Sequence, residues 1–149
     1  MSLKETIQSD IKDAMRAGEK ERVSTLRMLV AAVQKREIEE RNDALDDAVV
    51  LSVIEKSVKQ LKDSAKQYAD AGRQDRADAE LAEAELLQAY LPEQLSDAEL
   101  DTLLDEVMAA TGADSMKDMG KVMAAMKDKA QGRADMGALS GKVKARLAG

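Results

Sequence analysis

The chain has no histidine, no cysteine, no phenylalanine and no tryptophan, and Pro92 is its only proline. Each absence removes a class of chemistry or structure. Without cysteine or histidine there is no thiol nucleophile, no imidazole base, no ordinary zinc site and no disulfide framework. With only Tyr68 and Tyr90 as aromatic residues, the core must be built from aliphatic and small side chains. Long β-branched and aromatic runs are missing, so the composition predicts no sheet. No apolar run reaches the roughly 20 residues needed to cross a bilayer, so no membrane partner is expected. The N-terminal stretch MSLKETIQSDIKDAM is polar and lacks an apolar secretory core, and the expectation drawn from it is a cytoplasmic protein.

What is abundant is alanine, leucine, methionine, lysine and glutamate, a mixture that favours helix nearly everywhere. The length of 149 residues suits one domain or two small subdomains. The net charge of −6 is unevenly spread: residues 1–111 carry 15 basic and 25 acidic side chains, residues 112–149 carry 8 basic and 4 acidic ones. An acidic body with a basic tail directs any polyanion contact to the tail.

Ser2 and Glu5 form a capping box ahead of a first helix with Leu3, Ile7, Ile11 and Met15 on one face, ended by Gly18. A second helix runs from near Glu19 to about Arg41, with Leu26, Leu29, Val30, Val33 and Ile38 as its apolar stripe. A third follows Asp46, with Val50, Val53, Ile54, Val58, Leu61, Ala65 and Tyr68 recurring at a period near 3.6, and Gly72 breaks it. A fourth, alanine-rich helix covers about Arg73 to Tyr90, with Leu81, Leu86 and Leu87 as its larger apolar groups. Pro92 then forces Leu91 out of helical geometry. Ser96 and Glu99 make a second capping box, with Leu95 stapled on Leu100. A fifth helix reaches Thr111 and stops at Gly112. Ser115, with Asp118 as box partner, caps a sixth that ends at Gly132. A seventh spans Met136 to Leu147. The expected fold is all-α: an N-terminal four-helix subdomain over 1–91, a Pro-bearing linker, and a C-terminal three-helix subdomain over 92–149.

The stretch MGKVMAAMKDKAQGRADMGALSGKVKARL, Met119 to Leu147, carries Gly-Lys twice and Gly-Arg once. A phosphate-binding P-loop requires G-x-x-x-x-G-K-[ST] after a strand. Valine follows Lys121 and Lys142, and no strand precedes either, so that reading fails. Met116, Met119, Met123 and Met126 share one helical face and read as core. Gly120 and Gly141 lie inside or near the starts of helices, where glycine costs about 1 kcal/mol. Close backbone approach would justify them, either to another helix or to a ligand. A nucleic-acid surface would use Lys121, Arg133, Lys142, Lys144 and Arg146. Without an aromatic in the tail, it would read RNA shape and backbone rather than stack bases.

Three stretches carry a family resemblance: RVSTLRMLVAAVQKREIE (22–39), GRQDRADAELAEAELLQAYLPEQLSDAEL (72–100), and MGKVMAAM with QGRADMGALSGKVKARL in the tail. In order and spacing the chain resembles the stand-alone proteins of the GatB/YqeY family. Its tail resembles the tail domain of the B subunit of glutamyl/aspartyl-tRNA amidotransferase. The resemblance implies an all-helical fold and a tail that contacts the outer corner of tRNA. By position it makes Gly120, Lys121, Gly132 and Arg133 candidates for RNA contact, to which the charge reading adds Lys142, Lys144 and Arg146. Met123, Val143 and Leu147 fall on the family's core positions.

The amidotransferase's catalytic parts have no counterpart here. Ser96 and Ser115 read as caps, and Ser140 lacks a base. No cofactor, metal or catalytic residue is expected, and a carbon-nitrogen ligase label would describe kinship only. The acids of DAELAEAELLQ (78–88) read as a solvated face. Two functions remain open: a non-catalytic RNA-binding adaptor, tRNA being the first partner to consider, and a helical module that docks a protein.

Overall fold

A computed structural model describes residues 1–130 and 132–148. Among them there is no strand, and seven α-helices follow in order: α1 Leu3–Arg16, α2 Lys20–Glu40, α3 Asp47–Asp70, α4 Gln74–Gln88, α5 Asp97–Thr111, α6 Met119–Ala130 and α7 Met136–Ala148. The chain separates into two compact units, Met1–Leu91 with four helices and Pro92–Gly149 with three. The expected all-α architecture and its four-plus-three division are borne out.

The start of each unit follows from local chemistry. Ser2 Oγ accepts from the Glu5 amide at 3.2 Å while the Glu5 carboxylate accepts from the Ser2 amide, and Ser96 and Glu99 repeat the arrangement at α5. Each box satisfies two amides that the first turn of a helix leaves without partners. The helix ends are equally local: Gly18, Gly72, Gly112 and Gly132 all have positive φ, the conformation that ends a helix with the least steric cost in glycine. Arg41 adopts the same conformation at the end of α2 with φ 53°.

In the N-terminal unit, Ile7, Leu26, Leu29, Val33, Val50, Ile54, Val58 and Leu87 form the core. The α3–α4 hairpin makes the most extensive helix contact of this unit. Here α4 buries Ala77, Ala84 and Leu87, so small side chains let the two helices approach closely. Three expected apolar-face positions are on the surface: Ile38 is 77% exposed, Met15 55% and Leu81 43%. Ile38 stands about 140° around α2 from the buried Val33, off the face where Glu37 meets α1, and in α4 alanine takes the core role assigned to the larger Leu81. A Lys4–Glu37 ion pair of 2.6 Å joins α1 to α2.

In the C-terminal unit, Leu100, Leu104, Val107, Val122, Met126, Leu139 and Val143 make a separate core. Leu95 packs against it, as the staple predicts. The expected methionine face is shifted: Val122, Met126 and Ala130 are buried, Met119 and Met123 only partly, and Met116 is exposed. The cause lies at the helix start. Residues Met116–Asp118 form a 3-10 turn, and Ser115 makes no side-chain cap. Asp118 instead accepts from the Asp114 amide at 3.1 Å. Met116 therefore falls outside the α-helical register that its spacing suggested.

Candidate functional site

The tail cations arise on three elements. Gly120 and Lys121 stand in the first turn of α6. Gly132 and Arg133 make the loop to α7, and Lys142, Lys144 and Arg146 lie on α7. The structure gives them different tasks.

Gly132 is buried with φ 75°. Its carbonyl accepts from Gln94 Nε2 at 2.8 Å, the Leu95 amide donates to the Arg133 carbonyl at 2.7 Å, and Arg133 Nε donates to the Glu93 carbonyl at 3.1 Å. The loop is thus stitched to the segment that leads into α5, and Gly132–Arg133 braces the unit. Asp135 follows and caps α7, its carboxylate accepting from the Ala138 amide at 3.0 Å. An aspartate three residues before that amide is an N-cap signal, and the sequence reading missed it.

Lys142 and Arg146 sit one turn apart and face α5. Lys142 Nζ lies 3.0 Å from Asp101 and 3.8 Å from Asp97, and Arg146 pairs with Asp105. Asp101, with a smaller contribution from Asp97, strengthens the hold of Lys142 on its proton. The basic tail is accordingly offset by acids that precede it in sequence: residues 92–149 hold eight basic and ten acidic side chains.

Two cations are differently placed. Lys144 is two residues from both Lys142 and Arg146, about 200° around the helix, so it points away from α5. It is exposed and makes no ion pair or hydrogen bond among the described residues. Lys121 is exposed and reaches the Thr111 carbonyl at 3.3 Å, where a cation offsets the negative end of α5.

The glycines beside them need a different explanation from helix packing. A Cβ at Gly120 or Gly141 would meet no atom within 4 Å. Both are exposed, and close helix contact is not what they serve. At helical spacing, Gly120 shares a face with Ala124 and Lys127, and Gly141 shares one with Lys144, Ala145 and Ala148. All of these are exposed. Two outer helix faces therefore combine minimal side-chain height with lysine charge.

The N-terminal unit carries features that charge counting along the tail overlooked. Lys56, Lys59, Lys62 and Lys66 recur along α3, are exposed, and make no ion pair among the described residues. Their spacing of 3, 3 and 4 was the available signal. A groove of about 710 Å³ runs between α1 and α2, lined by Ala14, Met15, Val23, Arg27 and Met28 among others. Arg27 reaches Met15 Sδ at 3.7 Å, and Arg22 and Arg36 pair with Glu19 and Glu40. On α4, burial first and then Glu80 and Glu21 raise the proton affinity of Glu83.

Fold and surface together define a small all-α protein of two helical units with lysine-bearing outer faces. The family model described as Yqey-like protein matches residues 4–147, and the chain belongs to that family. It is 27% identical to altered inheritance of mitochondria protein 41, mitochondrial, of Vanderwaltozyma polyspora, over 76% of this chain and 64% of the relative. The protein of the same name from Eremothecium gossypii is 31% identical over 72% of this chain and 62% of its own length. That from Pyrenophora tritici-repentis is 26% identical over 86% and 71%. The chain thus spans a little under two thirds of the first two relatives. Their names correct one expectation: these relatives are mitochondrial proteins, which overturns the cytoplasmic assignment. A polar N-terminus argues only against an apolar secretory core, and mitochondrial targeting uses amphipathic, basic segments instead.

Proposed function

We propose that the protein is a non-catalytic adaptor that binds structured RNA, tRNA first among candidates, through the outer faces of α6 and α7. The observation that carries this reading is the pairing of Gly120 and Gly141 with open space above them and lysines beside them. Glycine there costs helix stability without serving packing. A rigid polyanion could approach the helix backbone closely at such faces, with Lys121, Lys127 and Lys144 meeting its phosphates. The lack of tail aromatics favours a shape-reading mode over base stacking. The likeness of the tail to the amidotransferase B-subunit tail domain supports tRNA as the RNA, and the boundary at Pro92 supports treating 92–149 as the RNA-directed subdomain. The names of the relatives favour a mitochondrial setting.

K121E/K144E tests this in the full chain. Both side chains are exposed and neither forms an ion pair among the described residues, and only one hydrogen bond, from Lys121 to the Thr111 carbonyl, is lost; helicity by circular dichroism checks that the fold survives. Filter binding to total tRNA should weaken at least tenfold at low salt. Unchanged affinity would sink the reading.

A second reading is favoured by the α1–α2 groove, where Met15 and Met28 are 55% and 52% exposed. Flexible thioethers suit adaptable protein contacts. This reading predicts partners that survive nuclease treatment and are lost in M15E/M28E.

A further inference from the structure

The acids that face α7 are spaced one per turn. Asp97, Asp101 and Asp105 fall at i, i+4 and i+8 on α5, opposite Lys142 and Arg146 at i and i+4 on α7. Three carboxylates meet two cations, with Lys142 shared between Asp97 and Asp101. The carboxylates are 59–91% exposed. Ion pairs of this kind contribute little to stability, because water already solvates both partners and two long side chains must be held still. They can therefore be exchanged for another anion at small cost. The exchange also has a geometric requirement: the two cations are about 6 Å apart along the helix axis, a span that neighbouring phosphates of a nucleic-acid strand can match.

We propose that the acidic row of α5 is an intramolecular competitor for phosphate that holds Lys142 and Arg146 until an RNA backbone displaces it. This inference rests on the RNA-binding reading above. It assigns two populations to the tail cations. Lys144, which has no partner among the described residues, and Lys121, held only by the Thr111 carbonyl, make the first contact. Lys142 and Arg146 exchange most favourably with a polyanion that offers two phosphates together, so isolated anions and weakly charged surfaces compete less well. The carboxylates freed by the exchange recapture solvent cations. The net counterion release on RNA binding is then smaller than the number of basic residues at the interface implies.

The test uses the full chain with D97N/D101N/D105N, and tRNA affinity is measured by filter binding over a range of salt concentrations. Loss of the competitor should tighten binding by about two- to tenfold at low salt, the range set by two surface ion pairs. It should also steepen the salt dependence by about one to two released ions. Because the variant changes net charge, E106Q/D114N/D128N serves as the comparison. It neutralises three exposed acids of the same unit that touch neither cation, and it should leave the salt slope as in the wild type. Adding K142A/R146A should erase the gain in the D97N/D101N/D105N background and should weaken wild-type binding measurably but less than it weakens that variant's. Equal behaviour of the two acid variants, or a gain that persists without Lys142 and Arg146, would overturn the proposal. If K121E/K144E weakens tRNA binding while D97N/D101N/D105N leaves it unchanged, the competitor is wrong and the RNA reading stands. If neither wild type nor D97N/D101N/D105N binds tRNA in a salt-dependent way, both fall together.

Discussion

Tyr90 shows how much one side chain can do in a protein almost without aromatic residues. Its hydroxyl donates to Asp10 Oδ2 at 2.5 Å and ties the end of the N-terminal unit back to α1. Burial first, then the Asp10 carboxylate, raises the phenol's proton affinity well above its ordinary level, with Arg22 opposing them. A folded-state pKa raised above the unfolded one means that the stabilisation is fully present below the unfolded value of about 10 and is lost as pH rises beyond it. Tyr90→Phe should therefore cost about 1–2 kcal/mol at neutral pH, the usual worth of a partly buried hydrogen bond to a charged group. It should also flatten the decline in stability above pH about 10. Urea unfolding at neutral and alkaline pH checks both outcomes. The partner of Tyr90 was not legible in the sequence, since Asp10 lies 80 residues away and nothing periodic links the two. Capping residues were legible at Ser2 and Ser96 because the chemistry closes within four residues. Ser115 shows the limit of the same rule: Asp118 turns to the Asp114 amide, and a 3-10 turn takes the place of the box.

At the scale of the element, α7 separates three roles around one short helix. Leu139, Val143 and Leu147 are buried, Lys142 and Arg146 face α5, and Gly141 and Lys144 are exposed. Gly141 is interior to the helix with no atom near its absent side chain. Gly141→Ala should therefore stabilise the protein by about 0.5–1 kcal/mol, the propensity difference at an open helical site. If the outer face binds RNA, the same change should weaken binding by raising that face. A thermal midpoint and a tRNA titration on one variant would read the opposed effects. Gain in stability with unchanged binding would leave the glycine without a role in contact. Helix number, order and most core faces were legible because hydrophobic periodicity and glycine stops are local signals. The α5–α7 ion pairs were not. Asp97, Asp101 and Asp105 carried no signal of a partner, and the tail read as a basic surface. Only the fold, which brings the two helices within reach of long side chains, reveals that the charges meet. Ile38 and Leu81 were misplaced for a different reason: Ile38 stands about 140° around α2 from the buried Val33 and so leaves the stripe, and in α4 alanine provides the contact.

At the scale of the molecule, two helical units, each with its own aliphatic core, make up a chain of the Yqey-like family. Both carry acidic excess, since residues 1–91 hold 15 basic and 19 acidic side chains and residues 92–149 hold eight and ten. Attraction to RNA cannot then come from overall charge. On the proposed reading it comes from local faces, the outer sides of α6 and α7, and is sensitive to salt. The most direct test of this account is a filter-binding titration of the full chain against total tRNA at two salt concentrations. The account predicts binding at low salt that weakens severalfold or more as salt is raised, reflecting phosphate contacts by a small set of lysines. Absence of binding at low salt, where surface charges are least screened, would contradict it and turn attention to the Met15–Met28 groove as the working surface of the protein.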